Sequence, residues 1–139
     1  MNALDNAIDS LLLKLSCLAP WGMRLSLGIA FIIHGSSKFP LPPQTLIEHF
    51  NFSPSLASFV ALSEIFAGLA IIFGGFLKND VGNLLTRFSA LLIVIIMFNA
   101  FNIAHRDWFI SPQLFTSEQI FLLVIGVYFL IKKTDNETM

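Results

Sequence analysis

Four stretches of this chain, residues 21–33, 65–77, 88–98 and 120–131, contain almost nothing but apolar residues, glycine and serine, Arg24 being the exception. Hydrocarbon offers no partner to a backbone N–H or C=O, so such stretches survive in a bilayer only as helices that satisfy their own backbone. A crossing takes about 20 residues for ~30 Å of hydrocarbon. Four such runs within 139 residues predict an all-α integral membrane protein of one small domain. Only 12% of the residues are charged and 55% are hydrophobic. An ordinary soluble domain has about 25% charged residues. With a mean hydropathy of +0.77, the chain lacks the polar cover that a water-facing globule or a disordered regulator needs. Its net charge of −1 offers no basic footprint for nucleic acid.

The punctuation between the runs sets the expected boundaries: spans at about 21–39, 55–77, 83–104 and 117–132, in an up-down four-transmembrane-helix bundle. Pro40, Pro42 and Pro43 stop the first, because proline cannot continue a helix. Gly74-Gly75 and Lys78-Asn79-Asp80 close the second. Residues 43–53 fit one or two helical turns at the interface, and 105–117 read as a polar, aromatic loop. The fourth span is short and must borrow from Leu114 and Phe115 to cross.

Ahead of the first span, Leu4, Ile8, Leu11, Leu12, Leu15 and Leu18 share one helical stripe, while Asp5, Asp9 and Lys14 lie off it. That pattern predicts an amphipathic interfacial helix over 1–19. A transmembrane domain over 20–133 and a polar tail over 134–139 follow. The single cysteine, Cys17, excludes an internal disulfide and a CxxC pair, and reads as a small buried hydrophobe. The acidic N-terminus and Lys14 argue against a cleaved signal peptide.

Charge sets the orientation. Lys14, Arg24, Lys78, Arg87, Lys132 and Lys133 fall on one side and only Lys38 and Arg106 on the other. Six against two places both termini in the cytoplasm. Trp21 and Trp108 then fit the inner and outer aromatic belts, and Arg24 and Arg87 read as inner-interface anchors.

An ionisable group inside a span costs on the order of 3 kcal/mol at its centre, so it should face the bundle interior. His34 and Lys38 share a face of the first span, continued by Ser26, Ala30 and Ser37. Glu64 sits within the small-residue stripe Ala57, Ala61, Gly68 and Gly75, where backbones approach closely. Asn99, Asn102 and His105 end the third span, and Glu118 opens the fourth. His34, Lys38, Asn99, Asn102, His105 and Glu118 fall in the outer half or at the outer mouth, and Glu64 about 15 Å below the start of its span. This predicts a polar pocket in the outer half, with Glu64 and His34 meeting or sharing a water. Glu64 reads either as a proton donor or as a carboxylate paired with His34 or Lys38. His105 and Glu118 read as a staple between the third and fourth spans. With no HxxxH or ExxH pattern, no metal site is expected.

These residues resemble a known family. Arg24-Leu25-x-x-Gly28 with His34-Gly35-x-x-Lys38-Phe39 looks like the first-helix motif of the DoxX family, and Glu64-x-x-x-Gly68 with Gly74 like its second. Arg87, His105 and Glu118 are also similar, and the resemblance spans roughly 20–131. It implies a four-helix protein of a prokaryotic cytoplasmic membrane, with relatives that include the small subunit of an archaeal thiosulfate:quinone oxidoreductase.

On that resemblance, the expected function is a quinone-linked oxidoreductase or redox-complex subunit. The family implies no catalytic residues; the residues themselves put forward Glu64 and His34 as the catalytic pair and Lys38, Asn99, Asn102, His105 and Glu118 as ligand-binding. Quinone would be bound as substrate, with no metal and no nucleotide. Expected partners are membrane lipid and other membrane or peripheral redox subunits, in a homo- or hetero-oligomer. The alternative is a non-catalytic scaffold or assembly subunit. A transporter is disfavoured by the absence of an evident inverted repeat.

Overall fold

The computed structural model describes residues 2–16 and 18–132, so the expectations for Cys17, Lys133 and the 134–139 tail lie outside the described residues. The described residues are helical and joined by short turns: α1 (Asn2–Leu15), α2 (Leu18–Ser36), α3 (Gln44–Phe50), α4 (Pro54–Phe76), α5 (Asp80–Ala104), a 3-10 turn (Arg106–Ile110), α6 (Gln113–Thr116) and α7 (Glu118–Ile131).

Local chemistry explains where they start and stop. Pro20 lies in the first turn of α2, where a missing N–H costs nothing, so the helix begins at Leu18 rather than after the proline. It stops ahead of the Pro40–Pro43 segment, as expected. The left-handed residue Asn51, φ 54°, ends α3. Ser53 caps α4 by accepting the Leu56 N–H at 3.3 Å, and Pro54 takes the first position. The Asn79 side chain caps α5 in the same way, accepting the Gly82 N–H at 2.9 Å, with Asp80 in the first turn. This cap draws the helix three residues upstream of its expected start at 83. The expected 105–117 loop is more regular than its composition suggests, consisting of the 3-10 turn and α6.

Among the described residues, three helical stretches are long and apolar enough to cross a membrane: Asp5–Ser36, Pro54–Phe76 and Asp80–Ala104. The apolar α7 has 14 residues. At 1.5 Å per residue it extends about 21 Å.

Helix α2 packs on α4, α4 on α5, α5 on α7, and α7 more lightly on α2. Close backbone approach builds the first seam. A methyl group on Gly28 would lie 2.8 Å from the Gly68 carbonyl oxygen, and one on Gly35 would lie 2.8 Å from the Ala61 carbonyl oxygen. Only glycine permits that crossing. Beside it the core is filled by Leu27, Phe31, Ala67, Ile71, Ala90, Ile93, Met97, Leu122 and Phe129. Ser89 lies buried within it and donates to the Ala67 carbonyl at 2.6 Å, tying α5 to α4. Along α1, residues 5–15 are exposed, the apolar stripe included.

Candidate functional site

Polar side chains gather at two levels of the helix assembly, with the apolar core between them. The first level sits where α2 ends and α7 begins. Glu64, held on the buried stripe of α4 with 7% exposure, forms an ion pair with Lys38. The Lys38 ammonium also donates to the His34 carbonyl at 3.2 Å, which folds it back over the last turn of α2. Removing two charges from water is costly unless they are paired and further hydrogen-bonded, and this pair meets both conditions.

The His34 ring points the other way. Its Nε2 lies 3.1 Å from Oε1 of Glu118, the first residue of α7. With Glu118 as carboxylate, this contact requires the His34 tautomer that carries its proton on Nε2. With 40% and 61% of the two side chains exposed, the contact is accessible. It closes one end of a groove of about 430 Å³ lined by Leu25, Ser26, Ile29, Ala30, Ile33, His34 and Glu118.

At the second level Arg24 is 3% exposed. Its Nη1 donates to the Ile71 carbonyl at 2.9 Å and to Thr86 Oγ1 at 3.0 Å. The guanidinium lies 4.6 Å from the centroid of the Phe129 ring. One residue of α2 thereby engages α4, α5 and α7. Gly75 leaves room for it, since a methyl there would lie 2.9 Å from the Arg24 side chain. Trp21 packs on Phe76 with ring centroids 4.7 Å apart. Arg87 donates to the Ile131 carbonyl at 3.4 Å, at the negative end of the α7 dipole.

Several expectations change. Of the two partners expected for Glu64, the structure gives it Lys38, and the meeting with His34 is not seen. Glu118 reaches His34 instead of stapling to His105, whose ring stacks on Trp108 at 3.7 Å between centroids. Asn99 and Asn102 do not join the cluster. Each donates at 2.8 Å to a carbonyl of its own helix, Ile95 and Phe98 respectively. The buried face of α5 runs through Thr86, Ser89, Ile93, Met97 and Phe101, and rotates both asparagines away from α2 and α4. Arg24 is not an interface anchor, because Thr86 and the Ile71 carbonyl hold it inside the assembly. That arrangement was missed from sequence. The available signal was Thr86 and Ser89 at three-residue spacing, two polar side chains on the face that also carries Ala90 and Ile93.

Among the described residues no group of three or more His, Cys, Asp or Glu side chains is placed to hold a metal ion. What the site offers chemically is a proton-bearing imidazole backed by a carboxylate at the end of an apolar groove, and a second, enclosed carboxylate–ammonium pair one turn away.

Comparison with known proteins gives one family. The family model described as DoxX matches residues 19–106, more than half of the chain, from α2 into the 3-10 turn. The resemblance read from sequence ran on to 131, whereas Glu118 and α7 lie beyond the matched segment. Comparison with curated proteins and with solved structures gives no match.

Proposed function

The chain belongs to the DoxX family, and from that premise we propose that it is a quinone-linked redox subunit of a prokaryotic cytoplasmic membrane. In this reading α2, α4, α5 and α7 thread the bilayer up and down, with α7 reaching across where α6 and the 3-10 turn extend its outer end. With Arg24 set aside as interior, Lys14, Lys78, Arg87, Lys132 and Lys133 stand against Lys38 and Arg106, a bias that supports both termini in the cytoplasm. His34, Lys38, Glu64 and Glu118 then lie toward the outer leaflet.

The observation that carries this reading is the His34–Glu118 contact at the end of the α2–α7 groove. A quinone head placed there takes on a carbonyl oxygen the hydrogen bond that the His34 Nε2–H otherwise gives to Glu118. Reduction to the quinol takes two electrons from a redox partner subunit and two protons from water at the outer surface, which the exposed His34 and Glu118 can relay to the quinone oxygens. The enclosed Glu64–Lys38 pair holds the end of α2 in register so that His34 presents its ring to the groove. Purified protein should bind a short-chain quinone, and His34→Ala with Glu118→Gln should weaken binding at least tenfold. Unchanged affinity in the folded double variant would remove the reading.

A second reading, a non-catalytic assembly subunit, draws support from the exposed apolar stripe of α1. It expects a larger enzyme to co-purify with the full-length chain and to be lost on deletion of residues 1–18, with activity of that enzyme indifferent to His34 and Glu118.

A further inference from the structure

Helices α2 and α7 are joined at two heights and stand apart between them. Arg24 over Phe129 closes the seam at one end, and His34 with Glu118 closes it at the other. Between these points the side chains that α2 turns into the seam are Ser26 and Ala30, which lie with His34 on one stripe at four-residue steps. Neither is long enough to reach across. Leu25, Ile29 and Ile33 form the flank that faces outward. Nine residues separate Leu25 from His34, which is about 14 Å of helix. A volume of about 430 Å³ over that length leaves room for one hydrocarbon chain beside the helices and not for two.

The groove also has a polarity. Its polar end coincides with the end of α2 and the start of α7, where the assembly reaches a bilayer interface, and the rest of its lining runs apolar toward the bilayer middle. A membrane amphiphile carries the same gradient from head to tail. The polar end combines the His34 Nε2–H, which a bound head takes over from Glu118, with the acceptor oxygens of the Glu118 carboxylate. An uncharged hydrogen-bonding head suits that combination, whereas an anionic head would face the like charge of the carboxylate.

We propose that the α2–α7 groove is a binding site for a single-chain amphiphile, an isoprenoid or acyl chain bearing an uncharged hydrogen-bonding head. The tail lies along Ser26 and Ala30 and the head meets His34 and Glu118. This rests on the quinone reading only for the identity of the head. Recognition of the tail is a separate property, carried by the shape of the seam.

The experiment uses the full-length chain in nanodiscs of two-chain phospholipid, with two photoreactive probes sharing one diazirine-bearing tail. One probe has a benzoquinone head and the other a primary alcohol. Mass-spectrometric mapping should place both probes on Leu25, Ile29 and Ile33 at several times the level found on Phe66 of α4 and Leu91 of α5, which are also lipid-exposed. Ala30→Trp, or Ser26→Phe should the first variant fail to fold, should cut labelling of α2 about tenfold and leave Phe66 and Leu91 unchanged. Even labelling of all five positions would reduce the groove to ordinary lipid contact and overturn the proposal, as would α2 labelling indifferent to both substitutions. Labelling by the quinone probe alone would overturn the tail site and leave only head recognition. Labelling by both probes with no quinone reduction in the assembled complex would uphold the groove and sink the redox reading instead.

Discussion

Arg24 of α2 and Thr86 of α5 share a hydrogen bond of 3.0 Å in the interior of the helix assembly, and the same nitrogen donates to the Ile71 carbonyl of α4 at 2.9 Å. The guanidinium face is covered by Phe129 of α7. All four packed helices therefore meet at a single cation. Thr86→Val keeps the shape and removes one acceptor of the buried guanidinium, which retains the Ile71 carbonyl. The expected loss is about 2 kcal/mol of unfolding free energy in detergent, the range for a hydrogen bond to a charged group. Arg24→Lys should fare no better, because an ammonium has no flat guanidinium face to lay against the Phe129 ring. Equal stability of Thr86→Val and the parent would show that the bond contributes nothing.

The α2–α4 crossing makes a steric prediction. A methyl on Gly68 would lie 2.5 Å from the Gly28 carbonyl oxygen and 3.0 Å from the Ile32 amide nitrogen, both of them backbone atoms that cannot swing aside. Gly68→Val should force the helices apart and cost about 3 kcal/mol or more, in the upper range for overpacking. Gly22→Val is the control, since a methyl there meets nothing within 4 Å. Thermal unfolding of the two variants should separate them clearly, and equal melting would show that the seam yields.

A double-substitution cycle probes the enclosed ion pair. Lys38→Met strands the Glu64 carboxylate and Glu64→Leu strands the Lys38 ammonium, each at about 3–5 kcal/mol for a buried partner left alone. Changing both should cost less than either single change. Additive losses would show that the two charges act independently, and the Lys38–Glu64 contact would lose its structural meaning.

For Asn99 and Asn102 little effect is expected. Each amide spends its donor on its own helix, at the Ile95 and Phe98 carbonyls. Asn99→Leu and Asn102→Leu should each shift stability by less than about 0.5 kcal/mol, as exposed substitutions do. Short-chain quinone binding should be unchanged, and weakened binding would return these residues to the site.

How much was legible in the chain depended on the length scale of the cause. The apolar runs, the proline block after α2, Ser53 and Pro54 ahead of α4, and the inward stripe around Glu64 are local features. Each acts within a few residues, through backbone hydrogen bonding or helical periodicity, and each is already present in the order of side chains. The sequence by itself therefore determined that the chain is helical and membrane-directed, and which face of α4 turns inward. It did not determine which ionisable groups would meet. Glu64 had two eligible partners, His34 on α2 and Lys38 in the turn just after it, and the close Gly35–Ala61 approach brings Lys38 to it. Glu118 likewise had His34 and His105 within reach of its helix end. The lateral placement of α7 against α2, and the stacking of His105 on Trp108, decided that choice. Arg24 carries the same lesson: hydropathy and charge counting place it at an interface, yet Thr86, Ile71 and Phe129 converge on it from three other helices. Pairing of this kind depends on helix rotation and axial offset, which arise from packing the whole assembly at once, so only the tertiary structure decided it.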